Sequence, residues 1–533
     1  MRRPVAVADP FDGTQPPADW RRMVQALATG LRGEVGTVSV IETHISVVLL
    51  AGERAYKLKK PVDLGFVDFT TLPRRRHFCR EELRVNRRLA PQLYLSVLSV
   101  TGSMRAPRLG GRGRAIDYAV EMRRFPGDAL LADALAAGRL SGEQVDALAA
   151  CVADFHRGLP ALLPDSPYGR SRDLLRAARD NFTALAAGAG PRTQARLRVL
   201  AEWTEREYRR RHALLAGRRR AGWVRECHGD LHLGNIVWLD GRPVPFDGIE
   251  FDPALRWQDV QGELAFLTMD LARRGRPDLA RRARDRYLQA TGDYAGVPLV
   301  DFFEVYRALV RAKVARLKAA GAGQGARFAA LRECLSGLRL AETLIRPRRP
   351  YLAITHGLSG SGKTHYADWL LEQTPLVRLR SDVERKRLLG LQPRARTDSG
   401  TDEGAYRRDI TAATYRHLAA TARCLLLAGW PVLVDASFLD PHERRRFARL
   451  AARLGVPFHI VVCTAPPPVL ERRVAARAAQ GTDASEAGAV VLAVQQARYR
   501  PLSADEQARA IVVDTSQPYV LPDRCAAQFG ATG

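Results

Sequence analysis

Apolar and polar positions alternate in short runs over residues 36–60, in TVSVIE, SVVLLAG and RAYKLKK. That period of two is the mark of strands with one buried face. A helix is expected over about 74–90 and a further strand pair over about 95–122, after which 128–220 reads as helical almost throughout. The order predicts a small β-rich lobe followed by a larger helical lobe. No segment recurs at the period of a solenoid.

The stretch LIRPRRPYLAIT, 344–355, interrupts this pattern with two prolines and three arginines between a helical run and an apolar strand, which places a boundary near 348. Beyond it, strands are expected at YLAIT (351–355), LVRLR (376–380), PVLVD (431–435), FHIVV (458–462) and AIVVD (510–514), with helices between them. Such βα alternation predicts a parallel sheet covered by helices on both faces. The expected organisation is an extension over 1–30, a first domain over 31–345 and a second over 350–533.

Composition changes this picture in three ways. The 46% hydrophobic content belongs to a globular chain. The N-terminus lacks an apolar run after its arginine pair, and LLLAGWPVLV, 425–434, is too short and too broken by proline to span a bilayer, so a cytoplasmic protein without a membrane partner is expected. The seven cysteines are scattered without a CxxC pair, which argues against a disulfide framework or a zinc site.

The net charge of +26 raises the question of a polyanionic partner. Residues 351–533 hold 24 basic and 18 acidic residues, so most of the excess lies upstream. There it is spread along helical runs such as EREYRRRHALLAGRRR, 205–220, in which Tyr208 is the one Phe, Tyr or Trp. A solvated, arginine-biased surface is the favoured reading, and nucleic acid is kept as a second one.

Lysine is scarce: seven lysines stand against 76 arginines. A compact ammonium on a flexible stem is not interchangeable with a planar guanidinium where a point charge must enter a backbone cradle. Lys363 stands in GLSGSGKT, Gly357-Leu358-Ser359-Gly360-Ser361-Gly362-Lys363-Thr364, between an apolar strand and a helix. This fits G-x-x-x-x-G-K-[ST], in which backbone N–H groups cradle phosphates, the lysine reaches the β/γ-phosphates and the hydroxyl holds Mg²⁺.

Downstream, Asp382 follows the second strand in RSDVERKRL and could accept a hydroxyl proton, hold Mg²⁺ through water, or cap a helix. Asp435 ends PVLVD and fits the Mg²⁺-side carboxylate better. Arg473 and Arg477 share a helix face and could close over transferred phosphate as lid arginines, or lie on a solvated surface. Residues 350–533 thereby resemble the small P-loop kinases of the gluconate kinase and polynucleotide 5′-kinase group, with Ser381, Asp382 and Arg385 as a suggestive SD-x-x-R. That resemblance implies activation of the acceptor hydroxyl by Asp382, and 483–496 looks like a helix that follows the lid.

A second signature is CHGDLHLGNIVWLDGRPVPFDGIEFD, 227–252. Phosphoryl transfer needs a carboxylate near the acceptor hydroxyl and oxygen ligands for Mg²⁺. Asp230 supplies the first, and Asn235 and Asp247 the second. The spacing resembles the catalytic loop of aminoglycoside and choline phosphotransferases, the small-molecule branch of the protein-kinase fold, over about 30–340. The resemblance implies a strand lysine, for which Lys57 is favoured over Lys59, and a helix glutamate, for which Glu82 is favoured over Glu81. Phosphate cover would come from the backbone of His44, Ile45 and Ser46, and the strand 118–124 would hold adenine. Asp259 would brace the catalytic loop, with Glu263 where an aspartate is expected.

The whole chain looks like the bacterial proteins that fuse an aminoglycoside-phosphotransferase-like domain to a P-loop kinase-like domain. The expectation is an α+β bilobal kinase-like domain followed by an α/β P-loop domain. Its function would be ATP- and Mg²⁺-dependent transfer of the γ-phosphate to hydroxyls of small molecules at two nucleotide sites. The alternatives are a nucleic-acid 5′-end kinase and a nucleotide-switched module without turnover. The substrate does not follow from the fold.

Overall fold

The computed structural model describes residues 15–65, 67–320, 323–393, 395, 397, 404–480, 488–497 and 499–520. The chain forms two compact units. One comprises Met1–Gln144, Gly158–Ser171 and Ala216–Glu263, and the other comprises Val145–Arg157, Arg172–Leu215 and Leu264–Gly533. The boundary expected near 348 falls inside the second unit.

The first unit is built on an antiparallel sheet of six strands: β1 (Val38–Glu42), β2 (Ser46–Ala51), β3 (Arg54–Lys59), β4 (Tyr94–Gly102), β5 (Pro107–Leu109) and β6 (Asp117–Arg123). Their order is β1-β2-β3-β6-β4-β5. The alternation of β3 decides what each face does. Leu58 joins the core on one side, while Lys57 and Lys59 point to the other.

Against the Leu58 face lies the helix Ala18–Val35, whose Trp20, Met23, Val24, Leu27, Ala28 and Leu31 recur at the spacing of a single helical stripe. Most of the expected 1–30 extension that is described therefore belongs to this core; residues 1–14 lie outside the described residues. Buried Asp117 anchors the arrangement, accepting from Trp20 Nε1 at 2.6 Å and Arg75 Nε at 2.8 Å. The helix Leu72–Arg87, capped by Thr71 and started by a proline, carries Glu82.

Four short strands complete this unit. β7 (Val224–Glu226) pairs with β10 (Trp257–Asp259), and β8 (Ile236–Leu239) forms a hairpin with β9 (Arg242–Pro245). The hairpin turns on Asp240-Gly241, both at positive φ, the pairing suited to a two-residue turn that follows the strand twist. It folds the loop before β8 beside the residues after β9, and Phe246 N–H donates to Asn235 O at 2.9 Å.

In the second unit, β11 (Leu352–His356), β12 (Val377–Arg380), β13 (Val432–Asp435), β14 (Phe458–Thr464) and β15 (Ala510–Asp514) form a parallel sheet in the order β12-β13-β11-β14-β15. One face packs on a cluster including Leu418, Trp430, Phe438 and Phe447, and the other on Tyr366, Leu370 and Leu371. The inner strands β11 and β13 are buried from both sides, which is why their runs read as continuously apolar, whereas β15 at the edge leaves Val512 exposed. A separate helical core around Phe266, Met269, Leu309 and Leu338 accompanies the sheet. Among the described residues no helix is long and apolar enough to cross a membrane.

Candidate functional sites

In the first unit Lys57 Nζ lies 2.8 Å from Glu82 Oε1 and donates to Asp247 Oδ1 at 2.5 Å. Lys59 reaches Glu82 Oε2 at 2.7 Å and also contacts Glu250. The two candidate lysines thus share one carboxylate, and they differ in their second partner. Lys57 meets Asp247, whose side chain is 43% exposed, whereas Lys59 and Glu250 are buried within the fold. Glu81 instead pairs with Arg84 and Arg256.

Asp247 has φ 60, in the left-handed region that aspartate enters more readily than most side-chain-bearing residues. Two side chains hold it. Its N–H donates to the Tyr94 hydroxyl at 3.1 Å, and the next amide, Gly248, donates to Asn86 Oδ1 at 2.7 Å. Asn86 stands one helical turn after Glu82, so a single helix places both the acid on Lys57 and the clamp on the 247–248 backbone.

The loop before β8 is braced in the same manner. Buried His228 places Nε2 2.8 Å from Phe246 O and accepts from Asp230 N–H on Nδ1 at 3.3 Å, so the ring is neutral with its proton on Nε2; burial pushes its pKa down. Asn235 Nδ2 donates to Asp230 O at 3.1 Å and Asp230 Oδ2 at 3.0 Å. Its Oδ1 is then the atom of this side chain suited to a cation. His232 Nε2 lies 3.4 Å from Asp230 Oδ2.

The expectation for Asp259 needs correction here. Asp259 does not brace this loop: it receives both Nε and Nη2 of Arg218. Glu263 does so instead, accepting from His228 N–H at 2.9 Å and Gly229 N–H at 2.7 Å; the longer side chain spans what an aspartate would reach from a closer backbone. In the strand expected to hold adenine, 118–124, the backbone from Ala119 to Met122 is laddered to β3 and β4 on both sides, and the N–H groups of Arg123 and Arg124 donate to Leu93 O and Glu53 O.

The cover expected from His44, Ile45 and Ser46 is a tight turn between β1 and β2. Ser46 N–H is already taken by Thr43 Oγ1 at 2.9 Å, and Ile45 O accepts from Lys60 N–H. Lys60 Nζ donates to Thr43 O at 2.6 Å, so the third lysine of the cluster secures this turn.

In the second unit the P-loop joins β11 to the helix Lys363–Gln373. Gly357 (φ 147) and Gly360 (φ 80) are obligatory: a Cβ would stand 2.5 Å from Cys463 O at the first and 2.6 Å from Leu470 O at the second. Lys363 Nζ donates to Leu358 O at 2.7 Å, curling back over the loop. Burial pushes its pKa down, opposed by the nearby charge of Asp435 and Asp382.

Burial pushes the pKa of Asp435 up, the Thr364 side chain is near enough to oppose that rise, and Arg380 Nε lies 3.7 Å from its Oδ2. That Oδ2 is buried without a hydrogen-bond partner. An orphaned carboxylate oxygen beside a threonine hydroxyl and a lysine suits a hard cation and a phosphate, so the residues present fit Mg²⁺-nucleotide.

Asp382 stands in the first turn of the helix Ser381–Leu388, one place after the residue that follows the cap, and pairs with Arg385 at 3.0 Å. Arg473, expected as a lid cation, is engaged below: it donates to Thr515 Oγ1 and Thr515 O, each at 2.8 Å, and to Gly360 O at 3.4 Å. It braces the loop backbone. Arg477, one turn on, is near enough for its charge to lower the Lys363 pKa. Of the stretch 483–496, the helix Ala489–Ala497 is present, and 483–487 lie outside the described residues.

Pattern reading missed Asn86, Tyr94, Glu250 and Thr515, and left Glu263 without a role. Only Glu250 had a visible signal, as an acid three residues after Asp247 within an otherwise apolar run.

A family described as "Phosphotransferase enzyme family" matches residues 66–300, and one described as "AAA domain" matches 352–502. Uncharacterised proteins of Mycobacterium tuberculosis and Mycobacterium bovis are 32% identical over 462 residues, covering 86% of this chain and 90% of their own. Among solved structures, a choline kinase from Cryptosporidium parvum is 10% identical with a TM-score of 0.37, covering 58% of this chain and 90% of its own. The Mycobacterium tuberculosis APS kinase in complex with AMPPNP and APS is 24% identical with a TM-score of 0.24, covering 32% of this chain and 92% of its own. With the mycobacterial proteins, the chain belongs to the kinase and phosphotransferase family that joins a phosphotransferase domain to a P-loop kinase-like AAA domain.

Proposed function

We propose that the chain is an ATP-dependent phosphotransferase with two nucleotide sites, each transferring the γ-phosphate to a hydroxyl of a small molecule. The observation that carries this reading is that Lys57 and Lys363 each stand among carboxylates of their own unit, Glu82 and Asp247 for the first, Asp435 and Asp382 for the second. Each unit therefore has its own cation for phosphate and its own acids.

In the first unit Asp230 accepts the proton of the attacking hydroxyl, Asn235 and Asp247 are the Mg²⁺ ligands, and Lys57, held by Glu82, contacts the phosphates. In the second, Lys363 and the P-loop amides hold the β/γ-phosphates, Thr364 and Asp435 are the metal-side pair, and Asp382 takes the hydroxyl proton. Bound Mg²⁺ supplies neutralisation of the charge that builds on the phosphate oxygens. The acceptor oxygen bonds to the γ-phosphorus, the bond to the bridging oxygen breaks, and ADP leaves.

The test is transfer from γ-labelled ATP to a panel of sugars, aminoglycosides, amino alcohols and oligonucleotides. A labelled small molecule supports the reading. Label on oligonucleotides alone replaces it with an end kinase, and ATP binding with no labelled product replaces it with a nucleotide-switched module.

A further inference from the structure

The helices Pro467–Gln480 and Ala489–Ala497 grip the P-loop at three consecutive residues. Leu358 packs against the cluster of Leu470, Val474 and Leu492. Ser359 N–H donates to Gln495 Oε1 at 2.8 Å. Gly360 offers its carbonyl to Arg473, with Leu470 backbone filling the place a side chain would need.

The middle contact differs in kind from the other two. A P-loop binds phosphate through backbone N–H groups, so its affinity depends on how each peptide plane is turned. The Ser359 peptide precedes the run Gly360-Ser361-Gly362-Lys363. By accepting the Ser359 N–H, Gln495 fixes the plane from which that run departs. The residue type also suits the place: a carboxamide oxygen accepts as well as a carboxylate here, yet brings no negative charge beside the phosphates.

We infer that Gln495 is a positioning residue of the P-loop site, whose carboxamide oxygen holds the Ser359 peptide and makes affinity for nucleoside di- and triphosphates depend on the seating of the Ala489–Ala497 helix. This rests on the reading of Gly357–Thr364 as a nucleotide cradle. Gln495 acts through the loop backbone and takes no part in bond making.

Hydrogen–deuterium exchange of peptides spanning about 356–368 in the full chain, at graded ADP, reads this site apart from any other. Gln495→Met keeps the bulk and removes the acceptor. It should raise the ADP concentration for half-protection roughly five- to tenfold, the equivalent of one hydrogen bond, with the melting temperature without nucleotide unchanged. Gln495→Glu keeps the acceptor and adds a charge, so its loss of affinity should shrink as salt rises, while that of Gln495→Met should not. Lys363→Ala should lose protection altogether.

Protection of Gln495→Met within twofold of the parent, with Lys363→Ala unprotected, overturns the role of Gln495 and leaves the cradle standing. Protection of Lys363→Ala at parental ADP overturns the cradle and this inference with it. Should Gln495→Met melt early, Gln495→Glu decides: a loss of affinity that persists in high salt, although the acceptor is kept, overturns the inference.

Discussion

Lys59 Nζ lies 2.7 Å from Glu82 Oε2, on the opposite side of the carboxylate from Lys57, which lies 2.8 Å from Oε1. Burial alone would raise the pKa of this acid, but the two ammonium groups hold it down at about 2. Glu250, the further partner of Lys59, is pushed up by burial. One buried acid thus fixes two lysines, and only Lys57 extends to Asp247.

This arrangement predicts different consequences for the two lysines. Lys57→Met should remove nucleotide turnover at the first site and change the melting temperature little. Lys59→Met leaves Glu250 buried without its cation and should cost about 3 kcal/mol or more of stability. Thermal melts and ATP turnover on both variants check this. A Lys59→Met protein that melts normally but is inactive would make Lys59 the nucleotide lysine.

Asp247→Asn should weaken Mg²⁺-ATP binding more than Asp230→Asn does, because only Asp247 is read as a direct metal ligand. Asparagine tolerates the left-handed φ of position 247, so the backbone held by Tyr94 and Asn86 should survive. Titrating Mg²⁺ against each variant measures the difference. Equal apparent affinities would remove the role given to Asp247.

How much of this was legible in the sequence follows from how local each signal is. The parallel strands were visible because they read as short apolar runs, the inner β11 and β13 being buried on both faces and the edge strand β15 leaving Val512 exposed. The P-loop was visible because its geometry demands Gly357, Gly360 and Gly362 at fixed spacing. By contrast, Tyr94 and Asn86 act on the 247–248 backbone from more than 150 residues away, and nothing in their own surroundings marks them. Glu263 and Asp259 lie four residues apart, and only the three-dimensional path of the chain decides which one meets His228 and which meets Arg218. Arg473 was placed on the right helix, but its engagement with Thr515 depends on where β15 ends.

A pH dependence follows from His356, which ends β11 just before the P-loop. Its Nδ1 lies 3.1 Å from Phe438 O and its Nε2 lies 3.2 Å from the Tyr499 hydroxyl, an arrangement that suits the neutral ring. Burial pushes its pKa down to about 4. The unfolded chain takes this proton near pH 6.5 and the folded one only near 4, so the contribution is intact above about 6.5, declines through that window, and is flat below it. The full difference is about 3 kcal/mol. Urea unfolding at pH 7 and pH 4.5 should show a larger loss for the parent than for His356→Gln. Equal losses would mean that His356 does not govern this window.

The central claim is that two separate phosphate cradles serve two separate transfers. The most direct measurement is transfer from γ-labelled ATP by the full-length parent, Asp230→Asn and Lys363→Ala, each against the same acceptor panel. Asparagine at 230 keeps the shape of the site but cannot take a proton, so transfer at the first site should slow roughly 10²- to 10⁴-fold, while products of the second site form at the parental rate. Lys363→Ala should do the reverse, removing about 3 kcal/mol of transition-state stabilisation at the second site alone. Loss of every labelled product in either variant, with both proteins folded, would contradict the account and point to one composite site.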